Sequence, residues 1–321
     1  MKVFRSFPRG KVIPSCALAI GNFDGVHRGH RALLDQVKAA ADRLGVVPAV
    51  LTFNPHPRQF FAKRAGMLSD TPITITPFRD KMQAMADAGI ERVYIARFDD
   101  AVASLTAEDF IRQVLCRSLN IRWIIVGEHF RFGAGRQGTT DLLEAAGRQL
   151  GFEAVVLPSV MSQDVRVSSS EVRQALSQSD FDRVAALLGR PYMLSGHVVQ
   201  GNRLGRQLGF PTANLPVRQD NPVLSGVFVT RVHGLAGQPM LAVSMVGTRP
   251  TVVENGRTLL ETHLLDYSGN CYGSLIKVEF LKKLRDNQKF PGLDASKGAI
   301  RLDVDAARRY FQMLGTSADI A

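Results

Sequence analysis

Forty basic against 29 acidic side chains give this 321-residue, 35.2 kDa chain a formal charge of +11. A hydrophobic fraction of 45% and a charged fraction of 21% exclude a disordered or fibrous chain and leave room for one large or two ordinary cores. No apolar run approaches the ~20 residues of a membrane helix. The basic stretch Lys2 to Lys11 is followed only by Cys16 to Ile20, too short for a secretory core. Cys16, Cys116 and Cys271 are far apart, without a CxxC or a nearby His pair, so they suggest neither a disulfide framework nor a zinc site. The cytosol is the expected compartment. The basic excess is spread, +5 over residues 1–186 and +6 over 187–321. A small anionic substrate such as a nucleotide accounts for it as well as a nucleic-acid stripe does.

In chain order, Ala17 to Ile20 reads as a buried strand, and His30 to Leu44 as a helix with Leu33, Leu34, Val37, Ala41 and Leu44 on one face. Val46–Phe53, Arg92–Ala96, Trp123–Val126 and Ala154–Leu157 follow as strands, alternating with helices over Thr76–Ala88, Thr106–Leu119 and Asp141–Leu150. This alternation predicts a doubly wound parallel α/β sheet with helices on both faces. The pattern then changes. After a joint near residues 181–190 come short strands at His197–Gln200, Val227–His233, Met240–Met245, Thr258–Leu265 and Leu275–Phe280, and one helix over Ser296–Phe311. That predicts a small antiparallel barrel or sandwich. Two domains are expected, residues 1–186 and 187–321.

The first strand runs into Gly21-Asn22-Phe23-Asp24-Gly25-Val26-His27-Arg28-Gly29-His30. A glycine turn leading into a helix presents backbone N–H groups and a dipole to phosphate, and Gly21, Gly25 and Gly29 allow close approach. His27 and His30 stand three residues apart on the first helical turn, where two donors can stabilise a pentacoordinate phosphorus. A zinc pair is the rival, with no clear third ligand. Ser168, Ser169 and Ser170 open another helix, and Arg173 offers a fork for phosphate. His56, between Pro55 and Pro57, is held in a turn, with packing and function equally open.

These strings resemble the bacterial bifunctional riboflavin kinase/FMN adenylyltransferase (FAD synthetase) family, within the nucleotidyltransferase superfamily. The resemblance implies that Gly21, Phe23, Asp24, Gly25 and Gly29 bind ATP with His27 and His30 on its phosphates, joined by Ser168, Ser169, Ser170 and Arg173. It implies flavin contacts from Asn54, His56 and Pro57 in Thr52–Pro57, and from His129 and Phe130 in Val126–Gly133. His129 stands where Asp or Asn is expected.

The second half carries a Gly201–Asn214 stretch in which Gly201, Gly205 and Gly209 recur with Arg203 and Arg206 between them. It is not a Walker loop, yet a cationic glycine loop can wrap a polyphosphate. Thr212 and Asn214 alternate with Ala213, so both oxygens share one face of an extended segment, as metal or phosphate ligands would. Glu261 interrupts an apolar strand, so it is either ion-paired or poised for proton transfer; His263 shares its face.

Here too the chain resembles that family. Pro211-Thr212-Ala213-Asn214 looks like the riboflavin kinase signature holding Mg–ATP, and Glu261–Tyr267 like the block whose Glu is the catalytic base. Leu284–Phe290 matches the block near the flavin, implying Arg285 and Phe290 as contacts. Ser244 and Asn287 replace a usual Asn and Glu. The whole implies a two-step enzyme needing Mg²⁺ or another divalent cation: the barrel makes FMN from riboflavin and ATP, and the α/β domain makes FAD from FMN and ATP. Neither nucleic acid nor membrane is expected as a partner, and a monomer or weak homo-oligomer is. The alternatives are a nucleotidyltransferase for another phosphate ester and a flavin-sensing or RNA-binding regulator.

Overall fold

The computed structural model describes residues 1–8, 13–67, 73–162, 165–201, 204–217, 223–248 and 258–318. The chain divides into two compact units, Met1–Pro72 with Lys81–Ser168, and Ile73–Asp80 with Ser169–Ala321.

The first unit carries strands β1 (Lys2–Phe4), β2 (Cys16–Ile20), β3 (Val47–Asn54), β4 (Arg92–Arg97), β5 (Ile121–Gly127) and β6 (Glu153–Leu157). All five residues of β2 are buried, as a strand covered on both faces must be. The six strands pair in parallel in the order β1-β4-β3-β2-β5-β6. Alternate residues of β2 feed two cores. Cys16, Leu18 and Ile20 pack with Phe110, Val114, Leu115 and Leu143. Ala17 and Ala19 pack with Leu34, Val37 and Met85. Helices α1 (Arg28–Leu44) and α3 (Phe78–Asp87) therefore cover one face. The other is covered by the helix Thr140–Leu150 and by a π-helical run Phe110–Ser118.

The sheet thus agrees with the alternation read from the sequence, with instructive exceptions. Leu44 is 38% exposed, because α1 stops there at Gly45 in a left-handed conformation. The helix expected over Thr106–Leu119 begins as a short α-turn, Ala107–Asp109, before widening into the π-helical run. Helix α2 (Pro57–Arg64) buries no residue and so left no apolar period to read. The strand order reverses beside β2, and the carboxyl ends of β2 and β5 flank the switch point where open α/β sheets take ligands.

The second unit opens with two helices, Ser169–Ser177 and Phe181–Leu188. The latter occupies the stretch expected to hold the joint, with Val184, Leu187 and Leu188 buried. Beyond the short pair β7 (Met161–Ser162) and β8 (Val165–Arg166) of the first unit, six strands follow in the second: β9 (Met193–His197), β10 (Thr212–Val217), β11 (Gly226–His233), β12 (Met240–Thr248), β13 (Thr258–Leu264) and β14 (Leu275–Arg285). They pair antiparallel in the order β10-β13-β12-β11-β14-β9. Val199 N–H donates to the Asn214 carbonyl at 2.9 Å, drawing the two edges into a near-closed barrel. The strand expected at His197–Gln200 ends instead at His197, and Val199 keeps only this bridge.

Thr230, Ser244 and Thr262 are fully buried and form a hydroxyl chain of 2.8 and 2.9 Å. Ser244 is thereby a satisfied interior residue. On the outer face Val227, Val229, Val243 and Leu265 pack against Val304 and Ala307 of the last helix, Leu293–Ala318. Residues 73–80 complete this unit: Tyr192 Oη donates to the Ile75 carbonyl at 2.7 Å and Ser195 N–H to Asp80 at 3.0 Å.

Phe181 meets Phe228 edge-on at 6.0 Å and stacks with Phe280 at 5.9 Å. A fragment of residues 169–321 is therefore expected to melt above one of residues 187–321. Loss of a large aromatic core side chain alone costs about 3–5 kcal/mol. Equal melting midpoints for the two fragments would contradict this packing.

Candidate active sites

In the first unit the turn after β2 is tightly wound. Gly21 N–H donates to the Leu51 carbonyl at 3.1 Å, and Phe23, Gly25 and Val26 take φ values of 50°, 81° and 41°. For Phe23 and Val26 this costs roughly 1–2 kcal/mol each, strain of the kind that clusters at functional sites. Phe23, Asp24 and His27 are buried. His27 caps α1, its Nδ1 accepting the His30 N–H at 3.2 Å. In the neutral ring its proton then lies on Nε2. The two imidazoles stack at 3.7 Å and 15°, and Phe23 flanks His30 at 4.9 Å.

Burial first, and then the charges of His27 and Lys81, push the His30 imidazole well below its ordinary range, so it is neutral at neutral pH. His30 Nδ1 and Asn22 Oδ1 are buried without a hydrogen-bond partner. Buried polar atoms are normally satisfied, so two orphans at one glycine-rich helix start mark a place for a polar ligand. A Cβ on Gly29 would lie 3.3 Å from the His27 ring and 3.6 Å from the Val167 carbonyl. The chain leading into Ser168 therefore passes directly beside this turn.

Lys81 was not singled out in the sequence. It donates to the Asn22 carbonyl and, at 2.8 Å, to Thr52 Oγ1. Burial lowers its pKa to about 8, opposed by the Asp24 charge. Its signal was positional: Lys81 stands four residues before the buried Met85 and shares its helix face.

Other expected residues are placed as follows. Asn54 ends β3 before a cis Pro55, and His56 caps α2, Nδ1 accepting the Arg58 N–H at 3.0 Å. Pro57 is the first residue of that helix. Beside it Phe53, Phe60, Phe61 and Phe98 make an aromatic cluster with centroids 5.3–5.7 Å apart, Phe61 being 49% exposed. Phe130 stacks on the buried Phe132 at 5.5 Å, and His129 is exposed and paired with Glu128 at 3.2 Å. Ser169 and Ser170 begin a helix of the second unit, and Arg173 Nε donates to the Ile73 carbonyl.

In the second unit, pairing of β10 with β13 sets Thr212 opposite His263 and Asn214 opposite Glu261. Residues directly opposite share a face, so these four side chains stand together although 47 residues separate Asn214 from Glu261. Asn214 is buried and its Oδ1 has no partner. Glycines hold the preceding loop against this pair. A Cβ on Gly201 would come within 2.6 Å of Asn214 Nδ2, and one on Gly205 within 2.4 Å of the Phe210 carbonyl and 3.4 Å of Thr212 Oγ1. Gly209 takes φ 88°, and Arg206 is exposed on a single helical turn, Leu204–Gln207, where an open loop was expected. Arg203 lies outside the described residues. His263 Nδ1 donates to the Pro211 carbonyl at 2.9 Å. Arg285 is clamped by Asp303 at 2.7–3.2 Å and lies 5.5 Å from the Phe290 ring. Asn287 donates to Ser225 and to the Val246 carbonyl.

Comparison with known proteins matches the two halves of the chain to two family models. A family model described as FAD synthetase matches residues 11–171, and one described as Riboflavin kinase matches 188–311. The bifunctional riboflavin kinase/FMN adenylyltransferase of Escherichia coli strain K12 is 41% identical over 313 residues, covering 97% of this chain and 98% of the relative. The chain belongs to the bifunctional riboflavin kinase/FMN adenylyltransferase family. The Haemophilus influenzae member is 40% identical over 94% of this chain and 96% of its own. A crystal structure described as a macrolide-efflux protein from Streptococcus pneumoniae superposes with a TM-score of 0.74 at 26% identity, covering 96% of this chain and 98% of that one. That description is the other protein's; among the described residues here, no helix is long and apolar enough to cross a membrane. As a member of the family, this protein phosphorylates riboflavin to FMN through its C-terminal part and adenylylates FMN to FAD through its N-terminal part. ATP, riboflavin and FMN are its substrates, and FAD and pyrophosphate its final products.

Proposed function

We propose that the two reactions run at the two constellations just described. Residues 1–186 then form the adenylyltransferase domain and residues 187–321 the kinase. In the kinase, Glu261 takes the proton of the ribityl 5′-hydroxyl as that oxygen attacks the γ-phosphorus of ATP, and ADP leaves. Thr212, Asn214 and the loop through Gly201, Gly205, Arg206 and Gly209 hold the nucleotide, with Arg285 and Phe290 toward the flavin. The oxygen donors of Thr212 and Asn214 fit a hard divalent cation, and the buried Asn214 Oδ1 has no hydrogen-bond partner within the protein. Thr212 and Asn214 would hold Mg²⁺, which would supply neutralisation of the γ-phosphate charge.

In the adenylyltransferase, an FMN phosphate oxygen attacks the α-phosphorus of a second ATP and pyrophosphate departs. His27 and the neutral His30 donate hydrogen bonds to the phosphates as charge builds, and no covalent enzyme intermediate is needed. Gly21, Phe23, Asp24, Gly25 and Gly29 shape the ATP turn, with Ser168, Ser169, Ser170 and Arg173 as further phosphate contacts. Asn54, His56, Pro57, His129 and Phe130 line the flavin side.

The observation that carries this reading is the orphaned polar atom at each constellation, His30 Nδ1 and Asn214 Oδ1. The three free cysteines support the cytosol as the compartment. The chain is proposed to act as a monomer or weak homo-oligomer.

The test is chromatography of flavins after incubation with riboflavin, ATP and Mg²⁺. FMN should appear first and FAD after it. Chelating the cation with EDTA should abolish FMN formation, and added Mg²⁺ should restore it. FMN formation unaffected by chelation would remove the metal role of Thr212 and Asn214.

A further inference from the structure

We infer that Lys81 is a positioning residue for adenylyl transfer, tying the phosphate turn to strand β3 and placing a positive charge beside His30. Its ammonium bridges two elements, the Asn22 carbonyl in the turn and Thr52 Oγ1 on β3. Thr52 also donates to the Asn22 carbonyl at 3.3 Å, so a lysine and a hydroxyl converge on one backbone oxygen. That oxygen precedes Phe23, whose left-handed backbone and contact with His30 need an external anchor.

Thr52 is 1% exposed, and a lysine rarely enters such a place unless its charge is used. An ammonium has three donors, and the two acceptors leave a third for a ligand oxygen. The inference rests on the reading of the His27–His30 turn as the ATP-phosphate site.

The charge is conditional on pH. Burial sets the Lys81 pKa at about 8, so the cation is present below that pH and lost as pH rises through it. The titratable groups facing it are Asp24 in the turn and His30 in α1, and on β3 it meets the uncharged Thr52. His30 titrates well below its ordinary range, so the histidine does not blur an alkaline transition.

The experiment measures FAD formation from FMN and ATP, between pH 6.5 and 10, in the wild type, K81R, K81M and H30A. The wild-type kcat should fall above about pH 8. K81R should keep substantial activity and lose that alkaline limb, because arginine stays charged. K81M should lower kcat by about 10²-fold, the scale of a misplacement on the order of 1 Å, with little change in KM for FMN. Melting curves and riboflavin phosphorylation on the same samples report folding. A wild-type profile flat through pH 9.5, or a folded K81M with normal kcat, overturns the inference; the first holds even if K81M does not fold. H30A separates the two levels: if H30A is impaired and K81M is not, only the role of Lys81 fails. If both are unimpaired, the site reading fails as well.

Discussion

Glu261→Gln is expected to lower FMN formation by about 10²–10⁴, the usual range for losing acid–base catalysis. The amide keeps the size of the side chain and its place opposite Asn214, but it cannot accept a proton near neutral pH. ATP affinity should change little, since Thr212, Asn214 and the glycine loop are untouched. FAD synthesis from added FMN should persist. If Glu261 served only as one half of an ion pair, the variant would instead melt earlier and its folded fraction would stay active. Single-turnover phosphorylation beside thermal melts on one sample separates these outcomes, and a stable variant with near-normal turnover removes Glu261 from the mechanism.

His30→Ala should reduce FAD formation by about 10²–10³, the cost of removing one donor aimed at developing charge. The substitution also takes away the ring that stacks on His27 and Phe23, so part of the loss comes from a loosened turn. Riboflavin phosphorylation should remain near wild type, and FMN should accumulate when riboflavin and ATP are supplied. Quantifying FMN and FAD by chromatography checks both statements. Equal loss of both products in a folded protein would contradict separate sites.

How far the sequence was legible follows from what each residue reports. Ala17 to Ile20 is a continuous apolar run, and such a run can only be a buried strand or a buried helix segment. The helices packed on it show the 3.6-residue period because one face meets the sheet. Helix α2 has no buried face and therefore no period. The identities of Thr212, Asn214 and Glu261 were readable as chemistry. That Asn214 lies directly opposite Glu261 was not, because register is a property of pairing across 47 residues.

Lys81 is illegible in the sequence for a related reason. A lysine in an amphipathic helix reads as solvent-facing, and only tertiary packing shows its ammonium between Asn22 and Thr52. Conversely, Arg285, which the resemblance implies as a flavin contact, is found clamped by the buried Asp303. Ser244 departs from the family's usual residue, yet it is satisfied inside the barrel by Thr230 and Thr262.

On the proposed reading two independent sites in one chain carry out the successive steps, with His30 serving one and Glu261 the other. Mixing the two variants tests it most directly. His30→Ala alone should convert riboflavin to FMN and stop there, and Glu261→Gln alone should make FAD only from added FMN. Combined in one tube with riboflavin, ATP and Mg²⁺, they should restore FAD, because FMN released by the first is adenylylated by the second. A mixture of folded variants that yields no FAD, or either variant failing in both reactions, would contradict the account.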